Sequence, residues 1–208
     1  MRIALDARKL HDYGIGTYVR NILSELARQD GGHTYVLLCR AEDAEGLRAQ
    51  SARFETIVVK ARHYSLTEQV TMPLALRRAR VDLFHAPHYV VSPLTPRPYV
   101  VTIHDCIHLR FPQYLPNRAA YAYARSVMTT AARRATRVLT VSNASKRDIL
   151  SCLGVPNEKV EVIYNGLDTR LASAPDPEAV ERVRDRYMLT SPFILYTGNI
   201  KPHKNVDR

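Results

Sequence analysis

Tyr99-Val-Val-Thr-Ile-His-Asp105 is a β-branched run, apolar at consecutive positions, that ends in a histidine and an aspartate. A strand apolar on both faces suits a parallel sheet covered by helices on either side. Comparable runs at Arg2–Ala7, Thr34–Cys39, Glu55–Val59, Leu83–Ala86, Val138–Val141, Val160–Ile163 and Phe193–Tyr196 predict further strands. Between them lie amphipathic stretches predicting helices over Thr17–Gln29, Glu42–Gln50, Leu66–Ala79, Asn117–Arg134, Ala144–Leu153 and Pro177–Tyr187. In the first of these, Tyr18, Ile22, Leu23 and Leu26 recur at helical spacing and make one face apolar. Alternation of this kind predicts an α/β chain with a Rossmann-like, doubly wound, mostly parallel sheet and right-handed crossovers.

The small, polar and proline-rich segment Ala172-Ser-Ala-Pro-Asp-Pro177 reads as a linker. It predicts a first domain over residues 1–172 and the start of a second over residues 173–208. That second part opens with one helix, then a buried strand at Phe193–Tyr196, a glycine turn and a basic loop. Because only three residues follow Asn205, the chain is expected to be half of something larger.

The bulk properties narrow the setting. With 208 residues and 46% hydrophobic content, a sizeable core is available. No apolar run reaches the ~18 residues of a membrane span. The N-terminus enters a strand directly with no signal-peptide pattern. Cys39, Cys106 and Cys152 have neither metal nor redox spacing and read as free thiols of a reducing cytoplasm. The net charge of +10 is uneven: between Cys106 and Leu150 stand seven arginines and one lysine against a single acid, Asp148. A basic face attracts phosphates, nucleic acid or anionic lipid, or has no partner at all. Without zinc-finger spacing, an RNA-binding aromatic motif or an arginine-rich tail, nucleic acid ranks last.

Several motifs fall where an open parallel sheet binds ligands, at the carboxyl ends of its strands. Gly14-Ile15-Gly16 is read as a loop between the first strand and first helix, either offering backbone N–H groups to a phosphate or making a plain tight turn. It lacks the third glycine of a dinucleotide fingerprint, which disfavours a nicotinamide enzyme. His104 leaves the fifth strand into the crevice. It could instead pair with Asp105, or join Asp105 and His108 on a metal, although Leu109–Pro112 reads as a loop rather than the helix such a site needs. His85-Ala-Pro-His88 follows the fourth strand and could line the same crevice. Ser142 reads as a helix cap, and Asn165-Gly166 as a sharp turn tolerant of positive φ. In Gly198-Asn199-Ile-Lys201-Pro-His-Lys204-Asn205, glycine followed by lysines ahead of a helix suits a diphosphate.

Together these stretches resemble family 4 of the retaining glycosyltransferases, enzymes of GT-B architecture with two facing Rossmann-like domains. The resemblance rests on Gly14-Ile-Gly-Thr-Tyr18, Thr102-Ile-His-Asp105 with Phe111-Pro112, and Val141-Ser142. It continues through Val155-Pro-Asn-Glu-Lys-Val160 with Tyr164-Asn-Gly-Leu-Asp168, and ends on Tyr196-Thr-Gly-Asn-Ile-Lys-Pro-His-Lys-Asn205. Within the family the chain looks most like mannosyltransferase-like members that build bacterial surface polysaccharides. The resemblance implies the N-terminal half of a GT-B fold in a cytoplasmic enzyme. That enzyme would move a hexose, mannose by this subgroup, from a GDP- or UDP-linked donor to a glycan or lipid-linked acceptor, with retention. His104 would be the catalytic-site residue that orients the transferred sugar. Gly14, Gly16, Gly198, Asn199 and Lys204 would hold the donor, and Tyr18, His85, Asp105 and Asn165 would line the acceptor side of the crevice. It also implies no metal or cofactor, no nucleic-acid partner, and a peripheral contact of the basic tract with an anionic membrane. Relatives often carry arginine at position 199 and Arg-Lys at 203–204, so this chain has less charge there. The pair of glutamates that binds sugar and ribose lies in the rest of the second domain, so the 208-residue chain is expected to be inactive alone. The competing reading is a non-catalytic half-enzyme or docking module that needs a separate second subunit.

Overall fold

The computed structural model describes residues 1–62, 65–167, 174–198, 200 and 204–206. The chain forms two compact units, Met1–Gly166 and Leu167–Arg208; the predicted boundary at 172/173 lies outside the described residues.

In the first unit, seven strands form one sheet: β1 (Arg2–Asp6), β2 (Thr34–Cys39), β3 (Phe54–Val58), β4 (Leu83–Ala86), β5 (Tyr99–Thr102), β6 (Arg137–Thr140) and β7 (Val160–Val162). Their order is β3-β2-β1-β4-β5-β6-β7, and every pairing is parallel. The chain therefore builds outward from β1 in one direction and from β4 in the other. The switch point between β1 and β4 opens a crevice beyond their carboxyl ends.

The helices are α1 (Tyr13–Arg28), α2 (Ala44–Gln50), α3 (Leu66–Arg78), α4 (Ile107–Arg110), α5 (Arg118–Arg134) and α6 (Asn143–Leu153). Right-handed crossovers of opposite direction put them on opposite faces, and the core divides accordingly. One cluster joins Leu5, Leu37 and Cys39 to Val19 and Leu23 of α1 and Leu47 of α2. The other joins Ala4, Val36, Val101 and Val138 to Leu76 of α3, Met128 of α5 and Ile149 of α6. Neighbouring strand residues thus serve different cores, which is why the strands are apolar at consecutive positions.

Local signals set the helix ends. Ser65, Asn117 and Ser142 cap α3, α5 and α6 by accepting the backbone N–H of Glu68, Ala120 and Ser145. Gly154 ends α6 in the left-handed conformation at φ 59°.

Three sequence readings need correction here. Helix α1 begins at Tyr13, so Gly14 and Gly16 lie within its first turns rather than in a loop. A Cβ at Gly16 would overlap the Leu10 carbonyl and stand 2.9 Å from the Lys9 carbonyl oxygen; the glycine lets the β1–α1 connection cross the helix at close range. Residues 107–110, read partly as loop, form the short helix α4, which Asp105 initiates by accepting the Ile107 N–H at 3.0 Å. Asn165 and Gly166, read as a sharp turn, lie in irregular chain without a turn and without positive φ.

The second unit contains helix α7 (Pro177–Arg186), opened by the Asp176 cap and by proline in its first turn. The predicted strand Phe193–Tyr196 does not form: the segment is irregular, and its four side chains are exposed, Ile194 completely. A strand is stabilised by the ladder it joins, and no strand is described in this unit to pair with it.

Candidate functional site

The crevice at the β1/β4 switch point gathers side chains from three elements. Tyr18 comes from α1, His85 from β4, and Thr102 with His104 from the end of β5. Thr102 is buried and links two of them: its hydroxyl meets His85 Nε2 at 2.8 Å and the Tyr18 hydroxyl at 3.1 Å. The Tyr18 ring stands edge-on to His104, with centroids 4.9 Å apart and planes at 90°, and edge-on to His85 at 6.4 Å.

His104 is held from both sides. Its Nε2 lies 3.0 Å from the Pro87 carbonyl oxygen, and Ser145, in the first turn of α6, donates to the His104 carbonyl oxygen at 2.8 Å. Because a carbonyl only accepts, Nε2 carries the proton of the neutral ring. Nδ1 is then the bare nitrogen, with no hydrogen-bond partner among the described residues. Burial lowers the His104 pKa, opposed by the Pro87 bond and the charge of Asp105. The neutral ring therefore presents a lone pair that can accept a hydrogen bond from a ligand hydroxyl. His85 is driven further by burial, with the charge of His104 adding, to about 4. Burial raises the Tyr18 pKa, with the Thr102 bond acting against it, so Tyr18 stays a neutral phenol. The site is neutral, preorganised and rich in hydroxyl and imidazole groups.

Beside it stands a buried ion network. Arg8 forks onto both oxygens of Asp6 (2.8 and 2.6 Å) and reaches Glu68 Oε1 at 2.6 Å. Burial disfavours the Arg8 charge, but the bonds and charges of the two carboxylates outweigh it and raise the pKa. This ties the end of β1 to the first turn of α3 and so fixes one wall of the switch point.

The remaining sequence candidates separate from this cluster. Asp105 is exposed and accepts the Ile107 N–H just ahead of α4, with no hydrogen bond to His104 among the described residues. His88 accepts the Val90 N–H and stacks on Tyr89. Among the described residues, no three histidine, cysteine or acidic side chains converge as a metal set. The N–H of Gly16 is taken by the Asp12 carbonyl at 2.6 Å, which leaves none for a phosphate; Gly14 is exposed in the first turn. Asn165 is exposed, next to Tyr164, whose hydroxyl accepts from Asn143 at 2.9 Å. In the second unit Gly198 takes φ 151°, a conformation that favours glycine, and Lys204 is exposed. Asn199 lies outside the described residues. A hollow of about 770 Å³ in that unit is largely apolar, walled by Ala179, Val180, Val183, Leu189 and Phe193, with Arg184, Thr190 and Ser191 also in its lining.

Sequence reading overlooked Thr102, Ser145 and the Arg8–Glu68 pair. A hydroxyl inside an otherwise apolar strand was the available signal for Thr102. Nothing local marked Glu68, 60 residues from its partner.

The profile of Glycosyltransferase Family 4 matches residues 13–171. The chain belongs to glycosyltransferase family 4. Solved structures of similar fold include the HepE protein of Anabaena with UDP and glucose, at 19% identity and a TM-score of 0.67 over all of this chain and 56% of that one. A glycosyltransferase of Rickettsia africae matches at 18% identity and 0.60, over 91% of this chain and 50% of its own. The sucrose-phosphate synthase of Thermosynechococcus elongatus matches at 16% and 0.62, over 92% and 53%. At these identities the likeness concerns the fold. The family 4 chain spans about half the length of these structures. No curated protein sequence matches it.

Proposed function

We propose that the chain is the acceptor-side half of a retaining hexosyltransferase. With a complete second domain, it moves a hexose, mannose in the first instance, from a nucleoside-diphosphate sugar to a growing glycan or a lipid-linked acceptor. Family membership supports a sugar transfer, and the binding of UDP and glucose by HepE supports a nucleotide-sugar donor. The observation that carries the reading is His104: a neutral imidazole, its Nε2–H spent on Pro87, its Nδ1 open beside Tyr18. Such a group accepts a hydroxyl of the transferred sugar and fixes the ring for attack, a positioning role that lowers the barrier. Gly198, Asn199 and Lys204 would meet the donor diphosphate as charge builds on the leaving group, and preorganised donors aimed at developing charge contribute strongly to catalysis. Gly14 would stand on the donor side at the start of α1, and Asp105 and Asn165 on the acceptor rim. The reaction as proposed uses no resident metal.

His104→Ala, in the enzyme carrying its whole second domain, is expected to lower kcat by about 100-fold or more. Turnover at the wild-type rate in that variant would refute the assignment.

A second reading is favoured by the exposed apolar side chains of Phe193, Ile194, Leu195 and Val183. In it the chain is a half-enzyme that docks a separate subunit. A stable partner recovered with it, and no sugar transfer by either alone, would distinguish that case.

A further inference from the structure

Thr102, the last residue of β5, is buried, while Tyr18, His85 and His104 around it are each partly exposed. Thr102 itself is closed to a ligand and acts through its neighbours. Its hydroxyl has one proton and two partners, His85 Nε2 at 2.8 Å and the Tyr18 hydroxyl at 3.1 Å. If both partners donated to it, its own proton would be buried with no acceptor among the described residues, which is costly. Thr102 therefore donates to one partner and accepts from the other.

The chemistry of the groups selects the direction. The phenol is the most acidic of the three and so the strongest donor, and a neutral imidazole nitrogen is the strongest acceptor. Both end groups are neutral: burial lowers the His85 pKa to about 4 and raises that of Tyr18. The hydrogen bonds then run from the Tyr18 O–H through Thr102 to His85 Nε2, each polarising the next. His85 keeps its proton on Nδ1, the reverse of His104, whose proton sits on Nε2 against Pro87.

The consequence falls on Tyr18. With its proton committed to Thr102, its oxygen can only accept. It stands beside His104, whose Nδ1 also accepts, with ring centroids 4.9 Å apart. Two neighbouring acceptors call for a ligand that donates twice, as a sugar ring with adjacent free hydroxyls does. A phosphate, a carboxylate or an O-methylated ring brings lone pairs only. In a chain of net charge +10, this cluster is thus suited to a neutral polyol and not to an anion.

We propose that Thr102 is a positioning residue that fixes the hydrogen-bond polarity of Tyr18, and so makes the crevice selective for adjacent, unmodified hydroxyls of the transferred sugar. The polarity rests on the hydrogen-bond geometry; its service to sugar transfer rests on the transferase reading.

The test has two arms. Nitrogen–proton correlation spectra of the 208-residue chain at neutral pH read the imidazole tautomers directly. His85 is expected to be protonated on Nδ1 and His104 on Nε2. T102V keeps the β-branched shape that suits a strand and should leave His85 as a mixture of tautomers; T102S should restore a single one. A wild-type His85 protonated on Nε2 would overturn the proposal.

In the enzyme carrying its whole second domain, kcat/KM is compared for GDP-mannose and its monodeoxy analogues. The wild type should reject two analogues, deoxygenated at adjacent carbons, by about 100-fold or more each. T102V should relax one of those ratios to below about tenfold and leave the other, and T102S should restore both. On a Y18F background, T102V should add less than about threefold, because Thr102 acts through Tyr18. Equal use of every analogue by the wild type, both ratios unchanged in T102V, or full additivity of T102V with Y18F would each overturn the proposal. A wild-type enzyme that transfers no sugar from GDP-mannose or UDP-glucose would overturn the transferase reading, and the spectra would still decide the polarity.

Discussion

Tyr99–Ile103 and Phe193–Tyr196 are nearly interchangeable as local sequence, yet they end in opposite states. The first supplies β5, flanked by β4 and β6, with Tyr99, Val101 and Ile103 buried. The second is irregular and exposed. Both carry β-branched or aromatic residues that fit a pleated surface, so propensity does not separate them. What differs is company. β5 has a hydrogen-bonded neighbour on each side and helices over both faces, whereas the second unit offers no described strand to pair with. Strand formation in this protein is decided by the ladder, not by the run.

The hardest way to break that comparison is to charge both runs. Val101→Asp places an unpaired carboxylate where exposure is 0%, and a destabilisation above about 4 kcal/mol is expected, seen as loss of the cooperative melt. Ile194→Asp, at full exposure, should stay within about 0.5 kcal/mol of the parent. Comparable losses at the two positions would mean that Phe193–Tyr196 is buried in solution after all.

Ion pairs sharpen the contrast next. Arg8→Met removes the guanidinium from Asp6 and Glu68, whose side chains are 15% and 5% exposed, and should cost about 3–5 kcal/mol in chemical denaturation. Arg182→Met in α7 breaks only exposed contacts to Asp176 and Glu178; the expected change is about 0–1 kcal/mol.

A pH titration of stability probes the crevice itself. His85 binds its proton near pH 4 when folded, against 6.5 as an ordinary histidine. Between those values the unfolded chain holds more protons, so stability is fully present above pH 6.5 and is lost as pH falls toward 4. The His85 contribution approaches about 1.4 kcal/mol per pH unit in that window. His85→Gln should flatten the slope relative to wild type, and parallel curves for the two proteins would show that His85 is not held neutral.

The smallest expected effects separate two glycines that flank Ile15. Gly16→Ala meets the Leu10 carbonyl and should cost about 1–3 kcal/mol. Gly14→Ala meets nothing within 4 Å and should be neutral or stabilising by up to about 1 kcal/mol. Equal melting temperatures would mean that the β1–α1 connection is looser than the structure has it.

These pairs also mark how far the sequence could be read. His104 was legible as a crevice residue because a histidine at the end of a parallel strand has one direction to go. Its protonation pattern was not: that depends on Pro87, 17 residues away, and not on the neighbouring Asp105. Thr102 looked like any β-branched strand residue until Tyr18 and His85 arrived on its hydroxyl. Gly16 could be read as a phosphate-binding glycine or as part of a tight turn, and only the structure showed its close approach to the backbone of Leu10.

By itself the sequence determined the alternation of strands and helices, the helix cap at Ser142, and the apolar strands that require a sheet covered on both faces. Those are encoded in residues a few positions apart, where side-chain period and backbone hydrogen bonding act directly. Only the tertiary structure decided which strand-like run found a ladder, which carboxylates Arg8 would neutralise, and which nitrogen of His104 stays open. Each of those depends on groups brought together across tens of residues, and their energies exist only once desolvation and pairing occur in the same place.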